Sequence, residues 1–167
     1  MKLELLYEKY ANQVFNLALQ YVRNVSDAEE ITQDVFVAVH HSLASFRNHS
    51  GHGTWIYRIT INKSLDFIKA KKRKKRSSWF LVSSDVSDPV EFVHPGVLLE
   101  NREETEFIFT CIDALPDNQK TALILNKIEQ LSVPQIAEIL KLNSKAVESL
   151  IHRAKGNLEK LLNERRS

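Results

Sequence analysis

The stretch Ser132–Leu158, SVPQIAEILKLNSKAVESLIHRAKGNL, decides the fold predicted for the C-terminal part of the chain. Its apolar residues recur at three- and four-residue spacing in two runs, which predicts two helices joined by a tight turn. Ser132 and Asn143 precede the two runs, and each side-chain oxygen can accept a hydrogen bond from an otherwise unpaired backbone amide, as helix N-caps do. The second helix has a predicted buried stripe made of Val147, Leu150, Ile151 and Ala154.

Polar side chains of that second helix lie wholly or partly off the stripe, where they favour contact with nucleic acid. These candidates are Lys145, Glu148, Ser149, His152, Arg153 and Lys155. Any two helices packed through a short turn show a similar pattern, so a plain helical hairpin is an alternative that the rest of the chain must decide.

The composition predicts a nearly all-α protein. Only 4 Gly and 4 Pro occur in 167 residues, and long stretches carry helical rather than alternating apolar spacing. The single cysteine, Cys111, cannot form an internal disulfide, and the N-terminal residues MKLELLYEKY lack the apolar run of a signal peptide or membrane span. We therefore expect a reducing, cytoplasmic location and no membrane insertion.

The distribution of charge predicts two small helical domains joined by an acidic linker. Residues 1–76 hold 13 basic and 7 acidic residues, whereas 77–104 hold 1 basic and 6 acidic residues. The remaining 63 residues are nearly balanced, with 9 basic and 8 acidic. The linker also mixes Ser, Asp and Pro with scattered apolar residues that have no clear period.

Two helices are predicted before residue 46. Apolar residues from Leu3 to Tyr21 share one face of the first helix, and Ser26 with Glu29 matches a capping box that would start the second. The second helix would bury Ile31, Val35, Val39 and Leu43, leaving a largely acidic set able to face outward: Asp27, Glu30, Gln33, Asp34 and Phe36. A merely solvated acidic face is the alternative, since acids near a helix N-terminus favour the macrodipole and need no partner.

A loop over Phe46–Gly53 and a third helix from Trp55 to about Lys75, capped by Thr54, come next. The helix ends in KAKKRKKR, with seven basic residues in eight, and it also carries Trp55, Tyr57, Arg58, Asn62 and Lys63. Cations that hold phosphates, together with aromatic faces on which unpaired bases stack, are typical of a single-strand binder. For Trp55, a role as a core anchor is an equal alternative.

Two separated motifs give the chain a resemblance to a known family over nearly its whole length. The first is DAEEITQDVFVAV with TWIYRITINKSLDFIKAKKRKK, and the second is ALPDNQKTALIL with SVPQIAEILKLNSKAVESLIHRAK. In this order the motifs resemble an alternative RNA polymerase sigma factor of the extracytoplasmic-function group of the sigma-70 family. The resemblance implies sigma domain 2 over 1–76, a linker over 77–104 that threads the polymerase channel, and sigma domain 4 over 105–167.

The resemblance also implies a function and its partners. Such a protein binds core RNA polymerase, directs it to specific promoters and assists DNA melting, with no catalytic residues, metal or cofactor of its own. Its partners are promoter DNA, both duplex and melted single strand, and an anti-sigma factor that regulates it.

Three sets of site residues follow from the resemblance. Core polymerase would be bound by Asp27, Glu30, Gln33, Asp34 and Phe36. The opened minus-ten element would be read and held by Asn48, Ser50, Trp55, Tyr57, Arg58, Asn62 and Lys63. The minus-thirty-five element would be read by the helix-turn-helix Val133–Arg153, with these residues as the contacts: Ser144, Lys145, Glu148, Ser149, His152, Arg153 and Lys155.

The recognition helix departs from the family pattern. Lys141 stands where a Gly is frequent in the turn, and Ala146, Glu148 and Leu150 stand where Thr, Lys and Arg are common. Glu148 removes an attraction to phosphate, yet a glutamate can accept a hydrogen bond from a cytosine amino group. Two consequences of Glu148 therefore stay open, namely an altered preference for DNA sequence and weakened binding to DNA.

Two other classes of protein compete with this interpretation. An ordinary helix-turn-helix regulator would share the C-terminal motif, but it gives no reason for an acidic helix followed by an aromatic, basic one. An enzyme or metal protein would use the histidines near residues 40–52, but no cysteine or clustered carboxylates complete a ligand set, and no nucleophile motif or phosphate-binding Gly loop is present.

Overall fold

A computed structural model describes residues 2–47, 51–78 and 102–167 of the chain. The chain divides into two compact units, Met1–Phe92 and Val93–Ser167. The first unit holds helices α1 (Leu3–Val22), α2 (Val25–Ser42) and α3 (His52–Ser78), with a 3₁₀ turn at Leu43–Ser45. The second holds α4 (Arg102–Asp113), α5 (Asp117–Leu123), α6 (Val133–Leu140) and α7 (Ser144–Arg166), with a π-helical turn at Ile124–Ile128.

The core of the first unit is built by one apolar face from each of three helices. All three helices pack against one another in pairs. Residues that are almost completely buried meet at the centre: Leu6, Val14 and Ala18 from α1, Ala28, Ile31, Val35 and Val39 from α2, and Ile56 from α3. The predicted three- and four-residue spacing therefore identified the faces that pack, and each helix keeps an opposite face for solvent.

The connection between α1 and α2 is only two residues long. Arg23 adopts a left-handed conformation, with φ 50° and ψ 30°, and its amide donates to the Leu19 carbonyl at 2.8 Å. Asn24 is then the N-cap of α2, because its Oδ1 accepts from the Asp27 amide at 2.9 Å. The prediction of a capping box at Ser26 is wrong: asparagine caps as well as serine, and the earlier start adds helical hydrogen bonds.

Helix α3 begins three residues before the prediction. The Trp55 amide donates to the Gly51 carbonyl at 3.1 Å, so Thr54 lies inside the first turn and does not cap the helix. Within the predicted loop, His52 and Gly53 are helical, and the helix continues to Ser78. The paired glycines suggested a longer loop, but a single helical glycine costs only about 1 kcal/mol, which the packing of α3 can offset.

The second unit is a helical bundle closed by α7. Phe109, Cys111 and Ile112 of α4 are buried and contribute to its core. Polar side chains tie α7 to the preceding helices, since Asn157 donates to Gln119 at 2.8 Å and Arg166 to Glu104 at 3.1 Å.

The predicted helix-turn-helix is present as α6 and α7. Ser132 and Gln135 form a capping box at the start of α6, and Asn143 Oδ1 accepts from the Ala146 amide at 2.8 Å at the start of α7. Lys141 ends α6 with φ 55°, in the left-handed region that favours glycine. Lys141 therefore holds a backbone conformation that glycine adopts at lower cost.

The predicted all-α fold with a helix-turn-helix in its second unit is confirmed by these elements. No strand occurs in the ranges 2–47, 51–78 and 102–167. None of the helices in those ranges combines the length and apolar character that crossing a membrane requires. The predicted linker, 77–104, falls almost entirely on residues outside the description, as do Asn48 and Ser50.

The capping of α2 gives a test with a built-in control. Asn24→Ala should lower the free energy of unfolding by about 1 kcal/mol, because it leaves the Asp27 amide unpaired at the helix end. Ser26→Ala should change it by less than about 0.5 kcal/mol, since Ser26 is exposed and makes no cap. Urea denaturation of both variants measures the difference, and a larger loss for Ser26→Ala would contradict the observed cap.

Candidate functional site

The outward face of α2 is acidic and accessible. Glu30, Gln33 and Asp34 are all exposed, on the side opposite the buried Ile31 and Val35. Val37, which follows Gln33 and Asp34 by one helical turn, is also 55% exposed and adds an apolar contact to this face. We name the set Glu30, Gln33, Asp34 and Val37 the acidic face. A protein partner with basic side chains and an apolar anchor would fit it.

Asp27 is less available than its neighbours on α2. Its carboxylate accepts from Lys71 Nζ of α3 at 2.5 Å, and the Asp27 side chain is only 18% exposed, against 63% for Lys71. An ion pair with one largely exposed member contributes at most about 1 kcal/mol. Its geometric effect is to join the N-terminal turn of α2 to the basic end of α3.

Phe36 does not face outward. It is only 6% exposed, belongs to the core cluster, and its ring meets the edge of the Tyr7 ring with centroids 4.8 Å apart. The expectation of an outward Phe36 is wrong because the buried face of α2 is wide: Thr32 and Phe36 continue it beside Ile31 and Val35. The exposed partner of this ring contact is Tyr7 of α1.

A groove of about 700 Å³ runs between α2 and α3. Glu30 and Asp34 line the α2 side. The α3 side carries Phe67, Ala70, one carboxylate, Asp66, and five cations: Lys63, Lys69, Lys71, Arg73 and Lys74. The two sides thus have opposite net charge. Sequence analysis did not predict this groove, because it depends on how the two helices cross.

The aromatic side chain at the start of α3, Trp55, packs against other residues of the first unit. Trp55 is half-buried, packs against the core cluster and stacks on Phe46 with centroids 4.5 Å apart and an interplanar angle of 27°. Phe46 also contacts the His52 ring at 4.7 Å. Trp55 therefore serves in part as a core anchor, which is one of the two roles that the sequence left open. Phe46 belongs to the same aromatic contact, and sequence analysis did not identify it.

The remaining predicted residues of α3 are accessible to different degrees. Asn62 is exposed, whereas Tyr57, Arg58 and Lys63 are half-buried. Beyond Ala70 the helix is exposed at every residue from Lys71 to Ser77, six of which are cations. In the described part of the first unit, no side chains cover this basic end, so polyanions can reach it.

The outward face of α7 carries every residue predicted for it. Ser144, Lys145, Glu148, Ser149, His152, Arg153 and Lys155 are all exposed. Val147, Ile151 and Ala154 are buried on the other side, and Leu150 is half-buried at the border. Ser149 Oγ donates to the Lys145 carbonyl at 2.9 Å, and Arg153 Nε donates to the Ser149 carbonyl at 3.3 Å.

The histidines do not form a metal centre in the part of the chain that the structure describes. The His40 and His41 rings lie 5.6 Å apart on the exposed side of α2, and His52 contacts Phe46 instead. Among the described residues no group of three or more His, Cys, Asp or Glu side chains could hold a metal ion.

Family models match both units of the chain. The model described as Sigma-70 region 2 matches residues 6–74, and the model described as Sigma-70, region 4 matches residues 108–158. The first match spans α1, α2 and most of α3, and the second runs from α4 into α7.

Curated proteins from distant bacteria are similar over most of their length. The ECF RNA polymerase sigma-E factor of Haemophilus influenzae is 32% identical over 160 residues, which cover 93% of this chain and 84% of that protein. The ECF RNA polymerase sigma factor SigW of Bacillus subtilis is 31% identical over 165 residues, covering 93% and 86%.

Solved structures share the fold. The sigma factor RpoE from Bartonella quintana, in complex with the anti-sigma factor NepR, matches with a TM-score of 0.68 and 19% identity over 96% of each chain. CnrH, in complex with the cytosolic domain of CnrY, matches with a TM-score of 0.66 and 23% identity, covering 97% of this chain and 88% of that one.

Proposed function

Since the chain belongs to the extracytoplasmic-function group of the sigma-70 family, it is an alternative sigma factor that directs RNA polymerase to promoters, and we propose how its surfaces divide that work. One observation carries the proposal: within the first unit, α2 presents exposed carboxylates while α3 presents exposed cations. A plain helix-turn-helix regulator needs only α6 and α7. That function would therefore not explain why α2 is acidic and α3 is basic.

Core polymerase docks on the acidic face of α2. Glu30, Gln33 and Asp34 supply the polar contacts, and Val37 supplies an exposed apolar one. The carboxylate of Asp27 is already engaged in an ion pair with Lys71. Asp27 therefore contributes to this surface in part by holding the Lys71 side chain. Phe36 supports this surface from beneath, through its ring contact with Tyr7, and is not a direct contact.

Helix α3 and the loop before it hold the opened minus-ten element. The cations beyond Ala70 neutralise phosphates, and Asn62, Lys63 and Arg58 lie nearer the first turns of the helix. Tyr57 offers a partly exposed ring for an unpaired base, and stacking contributes about 1 to 3 kcal/mol per base. Asn48, Ser50 and Trp55 also belong to this proposed site, and Trp55 stacks on Phe46 as well.

Helix α7 reads the minus-thirty-five element in the major groove, with the seven exposed residues described above as its contacts. In this proposal sigma domain 2 occupies 1–76, the acidic linker 77–104 and sigma domain 4 105–167.

Regulation and location complete the proposal. An anti-sigma factor holds the protein inactive, and the solved complex of the sigma factor RpoE with the anti-sigma factor NepR supports this part of the proposal. The protein works in the cytoplasm, beside the polymerase and the chromosome. It acts as an initiation factor and not as an enzyme, and it needs no cofactor for this role.

Reversing one charge tests the docking surface. Asp34→Lys should weaken association with core RNA polymerase about tenfold or more, because a cation replaces an exposed carboxylate at the centre of the acidic face. Glu159→Lys makes the same charge change at an exposed site on α7 and should leave that affinity unaltered. Fluorescence anisotropy with labelled full-length chain measures both, and equal affinity for Asp34→Lys and the unaltered chain would remove Asp34 from the interface.

A second variant tests strand opening. Tyr57→Ala should reduce promoter opening by the holoenzyme about tenfold, since one stacking surface is lost, while closed-complex binding changes less. Permanganate reactivity of unpaired thymines reports opening, and a filter assay at low temperature reports closed binding. Circular dichroism must show intact helices, and an equal loss of both activities in a folded variant would contradict a stacking role.

A further inference from the structure

Glu148 stands on the outward face of α7 among basic residues. Lys145 precedes it by three positions, and His152 and Lys155 follow it by four and seven, so all four side chains share one side of the helix. Glu148 is exposed, and its carboxylate makes no hydrogen bond or ion pair with any residue in the described ranges. It is also the only carboxylate in the first three turns of α7, Ser144–Lys155.

The position of Glu148 along α7 indicates whether its side chain would meet the DNA backbone or the edges of the bases. A carboxylate close to phosphates is repelled, whereas Lys145 and Lys155 on the same side are attracted to them. Glu148 is the fifth residue of α7, and the N-terminal residues of a recognition helix contact base edges. On a recognition helix this spacing favours backbone contact for the flanking cations and base contact for Glu148 between them.

The chemistry of a carboxylate then selects the base. An ionised carboxylate only accepts hydrogen bonds, and cytosine presents its N4 amino group as the major-groove donor. Thymine presents the O4 acceptor instead, and guanine presents two acceptors, O6 and N7. These would repel the carboxylate. Adenine does present an amino donor, N6, but its N7 acceptor lies beside that donor and disfavours a carboxylate, so cytosine is the best match.

We propose that Glu148 is a specificity-determining residue that reads the amino group of one cytosine in the upstream promoter element; this rests on the proposed function of α7. Its neighbours do not compete for that base. Ser149 Oγ donates to the Lys145 carbonyl, and Leu150 is half-buried at the border of the core. A glutamate at this position therefore redirects sequence preference and does not merely weaken binding.

A selection experiment tests this proposal. Holoenzyme assembled from core RNA polymerase and the full-length chain is used to select duplexes from a library randomised across the upstream element. The unaltered chain should enrich cytosine about tenfold at one position. Glu148→Gln should lose that preference and favour adenine there, since glutamine pairs with adenine N6 and N7, while the other positions keep their preferences. Glu159→Gln, an exposed and isosteric change farther along α7, should leave the whole profile unaltered.

A modified base tests whether Glu148 accepts a hydrogen bond from the cytosine amino group or changes base preference indirectly. Replacing the selected cytosine by N4-methylcytosine places a methyl group where the free amino hydrogen pointed, so affinity should fall about tenfold for the unaltered chain and little for Glu148→Gln. Identical base profiles for the unaltered chain and Glu148→Gln would overturn the role of Glu148 and leave the proposed function intact. Failure of the unaltered chain to enrich any upstream sequence would overturn both.

Discussion

The mutual packing of α1, α2 and α3 is the constraint on which the first unit depends. Its core joins residues from all three helices, among them Leu6, Ile31 and Ile56, each at most 2% exposed. Because α2 commits one face to this core, it must turn its carboxylates outward. Helix α3 packs on the core through its N-terminal part, and the basic end from Lys71 onward is exposed on all sides. The Asp27–Lys71 ion pair joins the two helices where their charged surfaces approach each other. The first unit thus presents an acidic surface on α2 and a basic surface at the end of α3.

Backbone capping plays the corresponding part in the second unit. The capping box of Ser132 and Gln135 and the Asn143 cap fix where α6 and α7 begin, and left-handed Lys141 ends α6. With those ends fixed, burial of Val147, Ile151 and Ala154 sets the rotation of α7 about its own axis. The exposed side is then determined, and Glu148 lies on it between basic neighbours. The side chains that α7 exposes therefore follow from how an apolar stripe orients the helix.

The sequence was sufficient for features that depend on neighbours along one helix. Apolar spacing located α1, α2, α3, α6 and α7, and side chains with strong capping preference located the starts of α6 and α7. Sequence reasoning failed where two residues were equally suited to cap a helix, as with Asn24 and Ser26 at the start of α2. It also failed where packing overrode a local signal, since the glycines near His52 predicted a loop and the chain is helical there. It also failed for Phe36, whose burial depends on the width of the α2 face packed against α1. The groove between α2 and α3 and the contact of Asp27 with Lys71, 44 residues away, arise from tertiary structure that no local pattern encodes.

The central claim is that the surfaces held outward by these two cores together make this chain a promoter-selecting subunit of RNA polymerase. Genome-wide mapping of RNA 5′ ends tests it directly, using purified core polymerase with and without the full-length chain on chromosomal DNA. The account predicts that adding the chain creates a defined set of start sites that share two conserved elements at constant spacing upstream. Start sites that are unchanged by the chain, although it is folded and present in excess over core polymerase, would contradict it.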